Sequence, residues 1–81
     1  MFYVYLLQSQ QDPSKRYVGF TTREPDSRLA EHNAGKSTDT NKHKPWKVVA
    51  YFAFGNQQKA EAFERYLKQG SGHAFANKHF W

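Results

Sequence analysis

Two strand-forming runs joined by a polar turn constrain this chain more than anything else in it. Phe2-Tyr3-Val4-Tyr5-Leu6-Leu7 is aromatic and branched aliphatic throughout, and Arg16-Tyr17-Val18-Gly19-Phe20 has the same character. Between them Gln8 to Lys15 is polar and holds Asp12-Pro13-Ser14. Proline fixes φ and offers no N–H, and aspartate bonds its local backbone, so this is a turn. An antiparallel hairpin follows. Alternate strand residues share a face, which puts Tyr3 and Tyr5 together on the first strand and Tyr17 and Gly19 together on the second. Gly19 leaves an open spot beside Tyr17 into which another group can come close.

A chain of 81 residues makes one domain with a small core and room for one shallow site. It has no cysteine, which excludes disulfides and thiolate-bound zinc and fits a reducing, cytoplasmic setting. The N-terminus lacks a basic leader and turns polar after Leu7, so it reads as a strand and not a signal peptide. No apolar run approaches the roughly 20 residues of a membrane span. A formal net charge of +5 and a pI near 9.6 favour an anionic partner, nucleic acid first and an anionic membrane surface second.

After the hairpin, Thr21 to Gly35 reads as a helix of about three turns. Thr21 or Thr22 is the expected cap, Pro25 falls in the first turn, and Gly35 ends it. Arg28 and His32 lie four apart on one face, at the edge of the buried side marked by Leu29. Lys36 to Pro45 has no periodicity and reads as an exposed loop. Its Lys36, Lys42 and Lys44 have the character of phosphate contacts. Trp46 to Phe54 is a third strand, apolar enough to suggest a central position or cover on both faces. Asn56 caps a second helix from Gln57 to Lys68 or Gln69, with Ala60, Phe63 and Leu67 as its apolar stripe. Glu64 borders that stripe and is the acidic residue of this helix able to reach toward the sheet; Lys68 adjoins it. Gly70-Ser71-Gly72 breaks the helix, and His73 to Trp81 closes the core as a last turn or short helix.

Tyr3-Val4-Tyr5 followed by Tyr17-Val18-Gly19 resembles the paired signature of the GIY-YIG nuclease superfamily, with Tyr3 where the pattern has glycine and Val4 where it has isoleucine. The run Arg28-Leu29-Ala30-Glu31-His32-Asn33-Ala34-Gly35-Lys36 is similar to that of the small stand-alone bacterial members, which are akin to the N-terminal nuclease domain of the excision-repair nuclease. The resemblance covers nearly the whole chain. It implies an α+β fold: a three-stranded antiparallel sheet flanked by helices, in the order β-β-α-β-α with a short C-terminal helical tail. It also implies that Tyr5 and Tyr17 lie at the site, that Arg28 is the arginine of the first helix, and that Glu64 is the metal-binding glutamate of the second.

Phosphodiester hydrolysis has uses for these side chains. Arg28 makes bidentate, permanently charged contacts to phosphate. Glu64 holds one Mg²⁺ or Mn²⁺ that keeps most of its waters and is completed by the substrate. Tyr5 or Tyr17 orients or deprotonates the water, and His32 accepts a proton or contacts phosphate. Lys68, with Lys36, Lys42 and Lys44, adds nucleic-acid contacts. The expected activity is a metal-dependent endonuclease acting on DNA, with RNA and branched or damaged DNA also open as substrates and an additional protein partner for targeting. Two rivals remain: a non-catalytic nucleic-acid-binding module of the same fold, and a small interaction protein whose charge only aids solubility. His32-Asn33 does not make an HNH-type site, because no further histidines follow at metal spacing. His43, His73 and His79 are too scattered for zinc.

Overall fold

In a computed structural model describing residues 1–81, the chain runs β1 (Phe2–Ser9), β2 (Arg16–Thr21), α1 (Pro25–Asn33), α2 (Thr38–Asn41), β3 (Trp46–Phe54), α3 (Gln57–Lys68) and α4 (Gly70–His79). The three strands form one antiparallel sheet in the order β2-β1-β3. This is the expected α+β architecture, with the expected hairpin at its start. The turn is built as its residues suggest: the Asp12 side chain accepts from both the backbone N–H and the hydroxyl of Ser14.

The central strand is β1, not β3. Val4, Tyr5, Leu6 and Leu7 are completely buried, so β1 is covered on both faces, whereas β3 has only one neighbour. A bulge explains why β3 reads as continuously apolar. Leu6 pairs with Ala50 and Leu7 with Val48, leaving Val49 as the extra residue. The bulge shifts the inward phase of β3 by one. Trp46 and Val48 therefore face the same side as Tyr5, while Phe52 and Phe54 face the other.

The sheet thus has two cores. On one face Val4 and Leu6 meet Ala60 and Leu67 of α3 and Ala76 of α4, with Phe52 and Phe63 packed edge to face beside them. On the other, Tyr5, Leu7 and Trp46 gather Tyr17, Leu29 and Val48.

The helices differ in how well their ends follow expectation. Asn56 caps α3 as its sequence suggests, accepting from the Lys59 N–H at 3.0 Å. Neither threonine caps α1. Its N-cap is Glu24, Pro25 is the first helical residue, and Thr21 Oγ1 instead accepts from the Arg23 N–H at 3.0 Å. Gly35 follows with φ +79°, the left-handed stop its sequence position implied. The segment after it is not a plain exposed loop: α2 forms one turn whose Thr40 is buried. Helix α4 begins at Gly70 and runs through Ser71 and Gly72. Gly70, at φ +61°, makes the break, and Gly72 is helical and buried against Tyr66. No helix is long and apolar enough to cross a membrane.

Candidate active site

The site is built where the hairpin meets α1 and α2. The hairpin register sets Tyr5 opposite Gly19 and Leu7 opposite Tyr17, so both tyrosines lie on the α1 face of the sheet. Tyr5 itself fills the opening left by Gly19: a β-carbon there would fall 2.4 Å from the Tyr5 Cζ and hydroxyl. The Tyr5 and Tyr17 rings are 6.1 Å apart, and His32 of α1 stands 5.9 Å from the first and 5.0 Å from the second. Helical spacing carries Arg28 to the same place, one turn before His32.

Tyr5 and His32 begin one hydrogen-bonded line. The Tyr5 hydroxyl is 3.0 Å from His32 Nε2, and His32 Nδ1 is 2.7 Å from Thr40 Oγ1. The Arg28 guanidinium lies near enough to the Tyr5 oxygen for its charge to favour the phenolate, while its own hydrogen bond goes to Glu31. The Thr40 hydroxyl lies 3.5 Å from the Ser37 carbonyl, which can only accept. Donation therefore runs from Tyr5 to Nε2, from Nδ1–H to Thr40, and on to Ser37. This order makes His32 the Nδ1–H tautomer.

Electrostatics agree with that order. Burial, helped by Tyr17, raises the Tyr5 pKa against the pull of Arg28, so the phenol keeps its proton at neutral pH. Burial and then the Arg28 charge lower the His32 pKa, against the pull of Glu31, so the imidazole is neutral. Arg28 and Arg23 both grip the Glu31 carboxylate. Those bonds, Arg23's first, bring its pKa down to about 2. The Arg28 pKa is raised: burial works against its charge, but Tyr5 and Glu31 outweigh burial.

Glu64 stands apart from this cluster. Its Oε2 is 3.0 Å from Lys68 Nζ, four residues on, the neighbour expected from helical spacing. A cleft of about 670 Å³ lies between Tyr17 and α3, lined by Lys68 but not by Glu64 itself. It wraps the free edge of β2, with Tyr17 on its wall at one side and Leu67 and Lys68 of α3 at the other. No group of three or more His, Asp or Glu gathers anywhere in the protein.

Of the basic residues expected to contact nucleic acid, Lys68 lines the cleft. Lys36, Lys42 and Lys44 are exposed around α2 and take part in no ion pair. Sequence reading missed Thr40 and Asn33. The Asn33 side chain accepts from the Trp46 N–H at 2.6 Å and donates to the Trp46 carbonyl at 3.1 Å, tying α1 to the start of β3. The Trp46 indole in turn donates to the Thr40 carbonyl at 2.8 Å, which fixes α2 beneath His32. Asn33 lies in a run already singled out, but a threonine in a polar stretch carries no signal of burial. Tyr3, at the glycine position of the signature, hydrogen-bonds Glu24 at 3.1 Å and so holds the start of α1 to the sheet.

The family model of the GIY-YIG catalytic domain matches residues 1–78. The chain belongs to the GIY-YIG family, and its fold is of the nuclease type. No curated protein matches the chain.

Proposed function

We propose that this protein is a divalent-metal-dependent endonuclease that hydrolyses DNA phosphodiester bonds. The observation that carries the reading is the hydrogen-bonded line Tyr5–His32–Thr40 with Arg28 beside it, next to a cleft whose charged lining is Lys15, Arg16, Lys68 and one carboxylate, Asp39, in a domain of nuclease-type fold.

Arg28 has the charge and the forked donors to bind the phosphoryl oxygens and to stabilise the charge that builds there. Its guanidinium is oriented by its bond to Glu31 and lies beside Tyr5. Tyr5 keeps its proton and points it at a neutral His32, so the phenolic oxygen is held in one place beneath the surface of the site, and substrate entry must uncover it before it can orient an attacking water. His32 Nε2 is the acceptor for a proton passed through Tyr5, and Thr40 keeps that nitrogen free of its own hydrogen. Tyr17 walls the cleft side of the pair and excludes bulk water.

A carboxylate outside any three-ligand group is a poor cage for any cation. It suits a hard ion that keeps its waters and shares substrate phosphate, and Glu64 is a donor of that kind. When bound, one Mg²⁺ or Mn²⁺ supplies Lewis-acid neutralisation of the phosphoryl oxygens and the leaving oxygen. Glu64 would hold it, exchanging its bond to Lys68 for the ion, and Lys68 would turn to the nucleic-acid backbone.

The test is nicking of supercoiled plasmid with Mg²⁺ or Mn²⁺ by wild type, Glu64→Ala and Arg28→Ala. Cleavage by wild type alone is expected. Cleavage that survives in both variants refutes the assignment. Salt-sensitive DNA binding without turnover in any of the three would make the domain a binding module.

A further inference from the structure

The cleft along the β2 edge is lined by more than Tyr17 and the end of α3. On its outer wall the Arg16 guanidinium lies over the Trp81 ring, 5.2 Å from the centroid, and Nη1 donates to Asn77 Oδ1 of α4 at 3.1 Å. The indole and the guanidinium are therefore two flat groups held in register by a third side chain. Lys15 and Lys68 stand on the same walls. About 670 Å³ falls within the range of small-ligand sites and is room enough for one nucleotide.

We propose that this cleft receives one unpaired nucleotide of a nucleic-acid strand, next to the bond to be cut. The base stacks on the Arg16–Trp81 pair, Asn77 meets its edge, and Lys15 and Lys68 take the flanking phosphates. Planar aromatic and guanidinium surfaces interleaved with lysines are what single-stranded segments bind, because every base has a π-face and every linkage a charge. A rod of paired bases keeps those π-faces stacked inside itself. The proposal rests on the nuclease reading for the position of the cut. It deepens that reading by assigning the substrate class: strands with unpaired bases at flaps, loops, branches or open ends.

Binding is measured in chelator, where hydrolysis plays no part, using a short oligothymidylate and a blunt duplex of equal length. Stacking by one base predicts that Trp81→Ala weakens oligothymidylate binding about tenfold and duplex binding less than about twofold, with Trp81→Phe close to wild type. Trp81 also packs on the α3–α4 core, so the alanine variant can fail to fold. Intrinsic fluorescence of the wild-type protein avoids that problem. Oligothymidylate should quench the half-exposed Trp81 and the duplex should not; Trp46 is buried on the other face and serves as the silent background. No quenching, or equal loss of both ligands in Trp81→Ala, overturns the proposal. Hydrolysis is scored separately with Mg²⁺ or Mn²⁺ on plasmid and on a flapped oligonucleotide: cleavage of either without quenching sinks the cleft assignment alone, and quenching with cleavage of neither sinks the nuclease alone.

Discussion

The Tyr5 ring lies across Gly19, its cross-strand partner, so closely that a β-carbon at Gly19 would sit 2.4 Å from the phenolic oxygen. The contact couples the hairpin to the chemistry, because the Tyr5 hydroxyl is hydrogen-bonded to His32. Tyr5 is completely buried and has nowhere to retreat. Gly19→Ala should therefore push the ring away from His32 and destabilise the fold by about 1–3 kcal/mol, the usual cost of overpacking. Nicking should fall far more than the melting temperature. Equal activity in the variant would mean that the Tyr5–His32 bond is not needed.

Thr40 gives a sharper test of the donor line. Replacing it with valine keeps the volume but leaves His32 Nδ1–H without an acceptor in a buried place. An unsatisfied buried donor costs about 1–3 kcal/mol. With Nδ1 unpartnered, His32 can shift its hydrogen to Nε2, where it opposes the Tyr5 proton. Thr40→Val should lower the nicking rate by about 10- to 100-fold, in the range of one general-base contribution, and Thr40→Ser should restore most of it. A serine variant as slow as the valine one would assign Thr40 a packing role only.

The pH dependence of stability has a definite sign at both ends. The folded state lowers the His32 pKa below its ordinary 6.5, so the unfolded chain binds more protons just under that value. Stability from His32 is full above pH 6.5 and is lost as pH falls toward the folded-state pKa. Tyr5 does the reverse. Its pKa is raised above 10.0, so its contribution is full below pH 10 and is lost as pH rises through the folded-state pKa. Melting temperatures across pH should decline on both flanks. Tyr5→Phe should flatten the alkaline flank and His32→Gln the upper part of the acid flank. Flanks unchanged in these variants would place the titrations elsewhere.

Much of this arrangement is legible in the sequence. Alternation in the hairpin puts Tyr5 and Tyr17 on one face, helical spacing puts Arg28 and His32 beside each other, and Asn56 marks the start of α3. What escaped has local causes. Val49 bulges out of β3 and breaks the alternation that would have marked an edge strand. Thr40 is buried by a tertiary contact from α1, and a polar stretch rich in Ser, Thr, Asn and Lys looks the same whether or not one of its hydroxyls is covered. Gly70-Ser71-Gly72 reads as a breaker, yet Gly72 is glycine because α4 presses on the backbone of α3. The Glu64–Lys68 pair follows from spacing, but the cleft lined by both Lys68 and Tyr17 needs β2, α3 and α4 assembled.

Glu64 separates binding from hydrolysis. Its bond to Lys68 joins a largely buried carboxylate to a half-exposed amine, and such pairs near the surface contribute about 0–1 kcal/mol. Glu64→Ala should leave the melting temperature nearly unchanged. It should abolish metal-dependent nicking and, by freeing Lys68 into the cleft, tighten DNA binding in chelator slightly. Filter binding across a salt series checks the last point. Weaker binding in the variant would show that Lys68 does not turn to the nucleic acid.

Gly72 and Gly55 make an internal comparison for how α4 is held. A β-carbon on Gly72 would lie 1.8 Å from the Tyr66 carbonyl oxygen, a backbone atom that cannot swing aside, while one on Gly55 would meet nothing within 4 Å. Gly72→Ala should therefore force α4 off α3 at a cost of about 3 kcal/mol or more. Gly55→Ala should stay within about 0.5 kcal/mol of wild type, as surface changes usually do. Because Asn77 and Trp81 reach the cleft from α4 and the residues after it, Gly72→Ala should also weaken oligothymidylate binding under conditions where the domain is still folded. Chemical denaturation, read alongside binding, separates the two effects. If Gly72→Ala proved as stable as Gly55→Ala, the close packing of α4 on Tyr66 would be wrong, and with it the outer wall of the cleft.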